Sequence, residues 1–156
     1  MSLTNCDNRL VSGLLDVLMY GAKHGDTEQS SRLLAALHVM RPDFVELYSY
    51  DAWFMIRRRD FAEAVRLLRG LEQRPLRGTF GPYVAALLAV SLCGLDDPEW
   101  RTYASDVMTR NEDPDSVELV MTLMGKQASA PESVQGTQQI DNLDVQQLMR
   151  QHRLRV

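Results

Sequence analysis

The sequence predicts an all-α protein: a tetratricopeptide-like stack of about three helical hairpins followed by a flexible C-terminal tail. Three observations carry this. First, one segment recurs 34 residues on, so that Lys23–Leu37 aligns without a gap on Arg57–Leu71. The alignment matches Asp26 with Asp60, Arg32 with Arg66, Leu33-Leu34 with Leu67-Leu68 and Leu37 with Leu71. That is the period of a helix-turn-helix unit that cannot bury its apolar face alone and therefore stacks on its neighbours. Second, apolar residues return at helical rather than alternating spacing. Third, breakers fall between those runs, at Gly21–Gly25, Arg41-Pro42, Arg74–Gly78, Asp97-Pro98 and Asp113-Pro114.

The first helix is expected from about Asn8 to Ala22, capped by Asp7 or Asn8, with Leu10, Leu14, Val17, Leu18 and Gly21 recurring at helical spacing. The second starts at Asp26 or Thr27, carries Leu33, Leu34, Leu37 and Met40, and ends at Arg41-Pro42, since a residue before proline is pushed out of the helical region. The third places Phe44, Leu47, Tyr48, Ala52 and Met55 on one face and Tyr50, Trp53, Phe54 and Ile56 over much of the rest. A helix so apolar is expected to be the central, doubly packed element. Asp60 is expected to cap the fourth helix, whose buried stripe is Phe61, Ala64, Val65, Leu67, Leu68 and Leu71. The fifth, about Pro82 to Cys93, is small and apolar. Asp96–Glu99 opens the sixth, with Trp100, Tyr103, Ala104, Val107 and Met108, and Asp113-Pro114 opens the seventh, with Val117, Val120, Met121 and Met124 inward.

This helical domain is assigned residues 1–125. Residues 126–140 are polar and poor in aromatics, as a flexible linker would be, and 141–156 form a short helix or tail with Leu143, Val145, Leu148 and Met149. Its basic end, Arg150, Arg153 and Arg155, suits a helix C-terminus. A helix this short is marginal alone in water, which leaves it to pack on the repeats, fray, or act as an arm for a partner.

The net charge of −4 argues against bulk nucleic-acid binding, and no aromatic ladder accompanies the arginines between Arg57 and Arg77. That basic middle is followed by an acidic stretch from Asp96 to Glu118; it reads as solvated surface or as a dock for an acidic partner segment. The first residues lack a signal-peptide pattern, the longest apolar window (Tyr83–Gly94) is too short to span a bilayer, and Cys6 and Cys93 read as reduced thiols of a cytoplasmic protein. His24, His38 and His152 have no metal-ligand spacing, and there is no phosphate loop or positioned nucleophile. No cofactor, metal or enzymatic activity is expected.

Small residues belong where the two helices of a unit cross, and Ala52 with Ala64 fit. In the same frame Ser30 fits the first unit but Leu18 does not. The frame places Leu15, Met19, Ala22 and Lys23 of the first helix, with Glu46, Ser49, Trp53, Ile56 and Arg57 of the third, along a concave surface. An apolar floor with a charged rim would hold an amphipathic helix or an extended chain, with Trp53 as its anchor. Asp51, within an apolar helix, requires a partner such as Arg57–Arg59 or a helix terminus.

Arg41-Pro42, Asp51-Ala52-Trp53, Ala62-Glu63-Ala64 with Arg66-Leu67-Leu68, Asp97-Pro98-Glu99-Trp100 and Leu123-Met124-Gly125, in that order and spacing, resemble the small Hrp-type proteins of bacterial type III secretion systems. The resemblance runs from about Leu10 to Gly125 and does not extend to the tail. It implies an architecture similar to the chaperones that hold the needle subunit before export, and hence a non-enzymatic accessory protein. Its partner would be a needle or pilus subunit, a co-chaperone or a regulator, with homo- or heterodimers open. A regulator-sequestering protein and an envelope-associated assembly factor are the alternatives.

Overall fold

The computed structural model describes residues 7–128, in which all the regular structure is α-helix. The seven helices are α1 (Asn8–Lys23), α2 (Thr27–Met40), α3 (Leu47–Arg57), α4 (Phe61–Glu72), α5 (Phe80–Gly94), α6 (Trp100–Arg110) and α7 (Pro114–Ala128). Consecutive helices pair as hairpins α1–α2, α3–α4 and α5–α6; α3 also touches α5, and α7 lies across α5 and α6 as a closing helix. The expected stack of three hairpins is therefore present. The last described helix runs to Ala128, past Gly125; most of the expected linker and the 141–156 segment lie outside the described residues.

The repeat is most regular at the turn inside each hairpin. Each turn has one residue in the left-handed region, Gly25 (φ 97°), Arg59 (φ 66°) or Asp96 (φ 56°). The next residue is an aspartate whose N–H donates to the carbonyl five residues back: Asp26 to Gly21 (2.9 Å), Asp60 to Met55 (2.9 Å) and Asp97 to Leu92 (2.9 Å). This closure satisfies a helix-end carbonyl that would otherwise lack a donor. Asp7 caps α1 as expected, accepting from the Arg9 N–H at 3.3 Å. Asp60 stands at the start of α4 but its carboxylate pairs with Arg58 at 3.3 Å and makes no capping bond.

The interior is continuous. Ala52 and Ala64 are fully buried, as the crossing frame requires. In the first hairpin the close approach is at Gly21: a Cβ there would stand 2.8 Å from Ser30 Oγ. Leu18 failed the frame because the small residue lies one helical turn further on. α5, rather than α3, is the central element. Its side chains are buried nearly all round, with only Gly81 exposed, whereas α3 leaves Tyr48 41% exposed. Phe80 and Tyr83 of α5 meet Tyr50 of α3 at ring distances of 6.3 and 6.5 Å, an edge and a tilted contact that fix the register between hairpins.

Two helices turn differently from expectation. In α1 the core row is Val11, Leu15, Leu18, Met19 and Ala22, while Leu10 and Val17 are 51% and 61% exposed. In α7, Leu119, Val120 and Leu123 are buried, and Met121 and Met124, expected inward, are 56% and 42% exposed. Each helix has apolar residues on more than one face, so spacing alone does not say which row meets the stack.

Candidate functional site

The structure brings the residues expected to line a concave surface together as core. Leu15, Met19, Glu46, Ser49, Trp53 and Ile56 are all at most 4% exposed; Lys23 and Arg57 are half-buried. Trp53 is enclosed by Phe54, edge-on at 5.1 Å, and by the Arg57 guanidinium, 4.9 Å above its ring. Arg57 also donates to the Ala22 carbonyl, tying α3 to α1, and burial lowers its pKa. Arg57 thus links α3 to α1, and the buried side chains around it offer no open floor. Physically, bulky aromatic and aliphatic groups in a stack of only three hairpins find one another before they find a partner.

Glu46 is an extreme case. Expected on a charged rim, it is 1% exposed, and one carboxylate oxygen accepts the Arg77 backbone N–H at 2.8 Å. Its bond anchors the α4–α5 loop to the start of α3. The other oxygen, the Tyr50 hydroxyl and the Trp53 indole N–H have no hydrogen-bond partner among the described residues. Ser49 is internally satisfied, donating to the Glu46 carbonyl at 2.6 Å.

Asp51 finds a partner, but not among the arginines. His38 Nε2 lies 2.6 Å from its carboxylate, linking α2 to α3, and the His38 ring also packs against Tyr48 at 4.6 Å. Burial raises the Asp51 pKa, outweighing the lowering by His38.

The basic middle of the sequence is largely matched locally. Arg58 pairs with Asp60, Arg66 with Glu63 (3.1 Å) and Arg69 with Glu99 (2.6 Å), while Arg77 lies 3.9 Å from Glu46. Neighbouring carboxylates thus blunt the arginine band as a dock for an acidic segment.

What remains open is the flank of α1. Leu10, Val17 and Tyr20 are 51%, 61% and 65% exposed, with Leu14 half-buried between them and Gly13 facing open space. At 100° per residue, Leu10, Gly13, Leu14, Val17, Tyr20, Gly21 and His24 share one side of the helix, with no Asp, Glu, Lys or Arg among them. The Tyr20 and His24 rings stack at 4.0 Å, and His24 Nδ1 bonds the Tyr20 carbonyl at 2.7 Å, so the end of the strip is ordered. α1 is the outermost helix at the N-terminal end of the stack. The sequence signal was present in the recurrence of Leu10, Leu14 and Val17, which reads as core until Leu15, Leu18 and Met19 claim that role.

Among the described residues no group of three or more His, Cys, Asp or Glu side chains could hold a metal, and no helix is long and apolar enough to cross a membrane. Fold and surface together define a helical-hairpin stack with a packed interior and one uncharged apolar flank. The chain belongs to the bacterial type III secretion protein family (HrpB1_HrpK), whose match covers residues 1–129. No curated protein and no solved structure matches it.

Proposed function

We propose that the chain is a non-enzymatic accessory protein of the secretion system that holds a helical protein of that system, a needle or pilus subunit in the first instance, from the bacterial cytoplasm. Family membership supports the secretion role, and the α1 flank is the observation that carries the binding role. The flank runs from Leu10 to His24, about 21 Å at 1.5 Å per residue. Leu10, Leu14 and Val17 recur at the spacing by which a helix meets another helix, and Gly13 lets a partner backbone come close. In this reading Leu15, Met19, Trp53 and Ile56 set the flank's position through packing, while Lys23, Glu46, Ser49 and Arg57 fix the helix ends and loops around them.

The test is co-expression of the full chain with the needle or pilus subunit of the same system, followed by co-purification. Val17→Glu and Tyr20→Glu should abolish the complex and leave thermal stability within ~2 °C of wild type, as surface substitutions do. A complex that survives both, or a subunit that stays soluble without the chain, refutes this reading. A regulator captured in place of a structural subunit, with altered transcription of the secretion genes, would assign the same flank to regulation.

A further inference from the structure

The α1 flank carries a second pattern, of charge, along its edge. Leu10, Val17 and His24 recur every seven residues, and Gly13 and Tyr20 follow the first two by three, so the strip has the spacing of a two-helix coiled-coil seam. On one side of that seam the bordering row is Leu14 and Gly21, and it is closed off. Leu14 is half-buried, and Gly21 stands against Ser30 of α2. On the other side the bordering row is Arg9, Asp16 and Lys23, again seven residues apart. Arg9 and Asp16 are exposed and form no ion pair among the described residues, while Lys23 is half-buried. The strip therefore has one open border, where a partner meets a positive charge and then, about 10 Å further along the helix, a negative one.

Resting on the flank as the subunit-binding surface, we infer that Arg9 and Asp16 select the helix it takes. That helix is amphipathic, with an apolar seam edged by an acidic residue opposite Arg9 and a basic one opposite Asp16. An apolar seam supplies contact in either direction, whereas charges beside it set partner choice and orientation. If the acid precedes the base in the partner's sequence, the two helices run parallel; the reverse order makes them antiparallel. A second copy of this chain fits badly. Antiparallel over the whole seam, Asp16 would meet the copy's Asp16. Parallel, Arg9 and Asp16 would meet the copy's Leu14 and Gly21, the row closed off on the α2 side. Opposed like charges and a blocked border act against the self-pairing that an uncharged apolar strip invites. The strip is thereby kept open for a different chain.

Titration of the full chain against the needle or pilus subunit of the same system, at low and high salt, tests this. Wild-type affinity should fall about three- to ten-fold between ~0.05 and ~0.5 M sodium chloride, as screening of exposed pairs requires. Arg9→Glu and Asp16→Lys each turn an attraction into a repulsion and should each weaken capture about five- to ten-fold. Arg9→Lys and Asp16→Glu keep the charge and should hold affinity within about two-fold. All four are surface changes, so the melting temperature should stay put. Capture abolished by Val17→Glu yet indifferent to salt and to both charge reversals overturns the selection by charge and keeps the flank as the site. Capture that is absent, or indifferent to Val17→Glu as well, sinks the flank itself and the selection with it. A wild-type homodimer that Val17→Glu dissociates also overturns the selection, since two copies would then pair across the same border.

Discussion

Gly94→Ala and Gly70→Ala make the same chemical change in neighbouring helices and should move stability in opposite directions. A Cβ on Gly94 would stand 2.7 Å from Phe61 Cγ and Cδ1 and 2.8 Å from Cδ2. Ordinary carbon contacts lie near ~3.5–4 Å, so the ring must retreat by nearly ~1 Å. It cannot do so cheaply: Cγ is the root of the ring, and Phe61 is 8% exposed within the α4–α5 contact. Overpacking of this kind costs ~1–3 kcal/mol, against which an alanine at the last residue of a helix gains only a fraction of its mid-helix advantage. The net expectation is a loss of ~1–2 kcal/mol, or ~2–8 °C in melting temperature at this chain length. Gly70 lies inside α4 with nothing within 4 Å of the added methyl. There alanine should stabilise by ~0.5–1 kcal/mol. Urea unfolding of the full chain, followed by helical circular dichroism, reads both values. In a Phe61→Leu background the Gly94→Ala penalty should fall by at least ~1 kcal/mol, since the two positions share one space. Equal effects at Gly70 and Gly94, or no coupling to Phe61, would show that α4 and α5 do not approach as closely as the reasoning requires.

Three further outcomes follow from the same packing. Trp53→Ala should cost ~3–5 kcal/mol in a urea titration, because it empties a fully enclosed site; a loss under ~1 kcal/mol would instead mark Trp53 as surface. Asp51, whose pKa burial raises, binds its proton more tightly folded than unfolded, so its contribution is present at low pH. It is lost as pH rises from the usual aspartate range through the raised value. Asp51→Asn should flatten the urea midpoint across that window, and an unchanged pH slope counts against the reading. Burial pushes the Cys93 thiol up to about 11, so at pH 8 alkylation at Cys93, mapped by mass spectrometry, should be slow in the folded chain and rapid in urea; rapid labelling of the folded chain would contradict its burial.

How far the fold could be read in advance depended on which physical signal each feature carries. Hairpin order and helix positions were legible because proline, glycine and helical spacing act locally. The repeat of Asp26 at Asp60 marked two of the three hairpin turns. The third, at Asp97, keeps the same hydrogen bond but lies 37 residues after Asp60 rather than 34, and so falls outside the visible echo. The partner of Asp51 was hidden because His38 is on another helix, 13 residues away. Sequence proximity favoured Arg57–Arg59, whose actual contacts are set by helix ends.

The candidate site was the least legible part, and α1 shows why. A terminal helix with apolar residues on two sides can be rotated so that either row enters the stack, and both rotations satisfy a period of 3.6. What decides is volume. Leu15, Leu18 and Met19 are buried in the interior, while Gly21 sits where a Cβ would stand 2.8 Å from Ser30 Oγ. Once Gly21 is fixed at the crossing, the helix has no rotational freedom left. Leu10, Val17 and Tyr20 are then carried outward whatever their hydrophobicity. An exposed strip created in this way is stable only if solvent or another protein meets it, and three large apolar groups in line without a charge favour the protein. The residue that sets the exposed strip is thus Gly21, half-buried at the α1–α2 crossing on the same side of the helix as Leu10 and Val17. Gly21→Ala should therefore disturb partner capture as well as the α1–α2 crossing, whereas Gly13→Ala, in open space within α1, should weaken capture while stabilising the fold slightly, as Gly70→Ala does. If Gly13→Ala binds the subunit as wild type does, close backbone approach is not part of the contact.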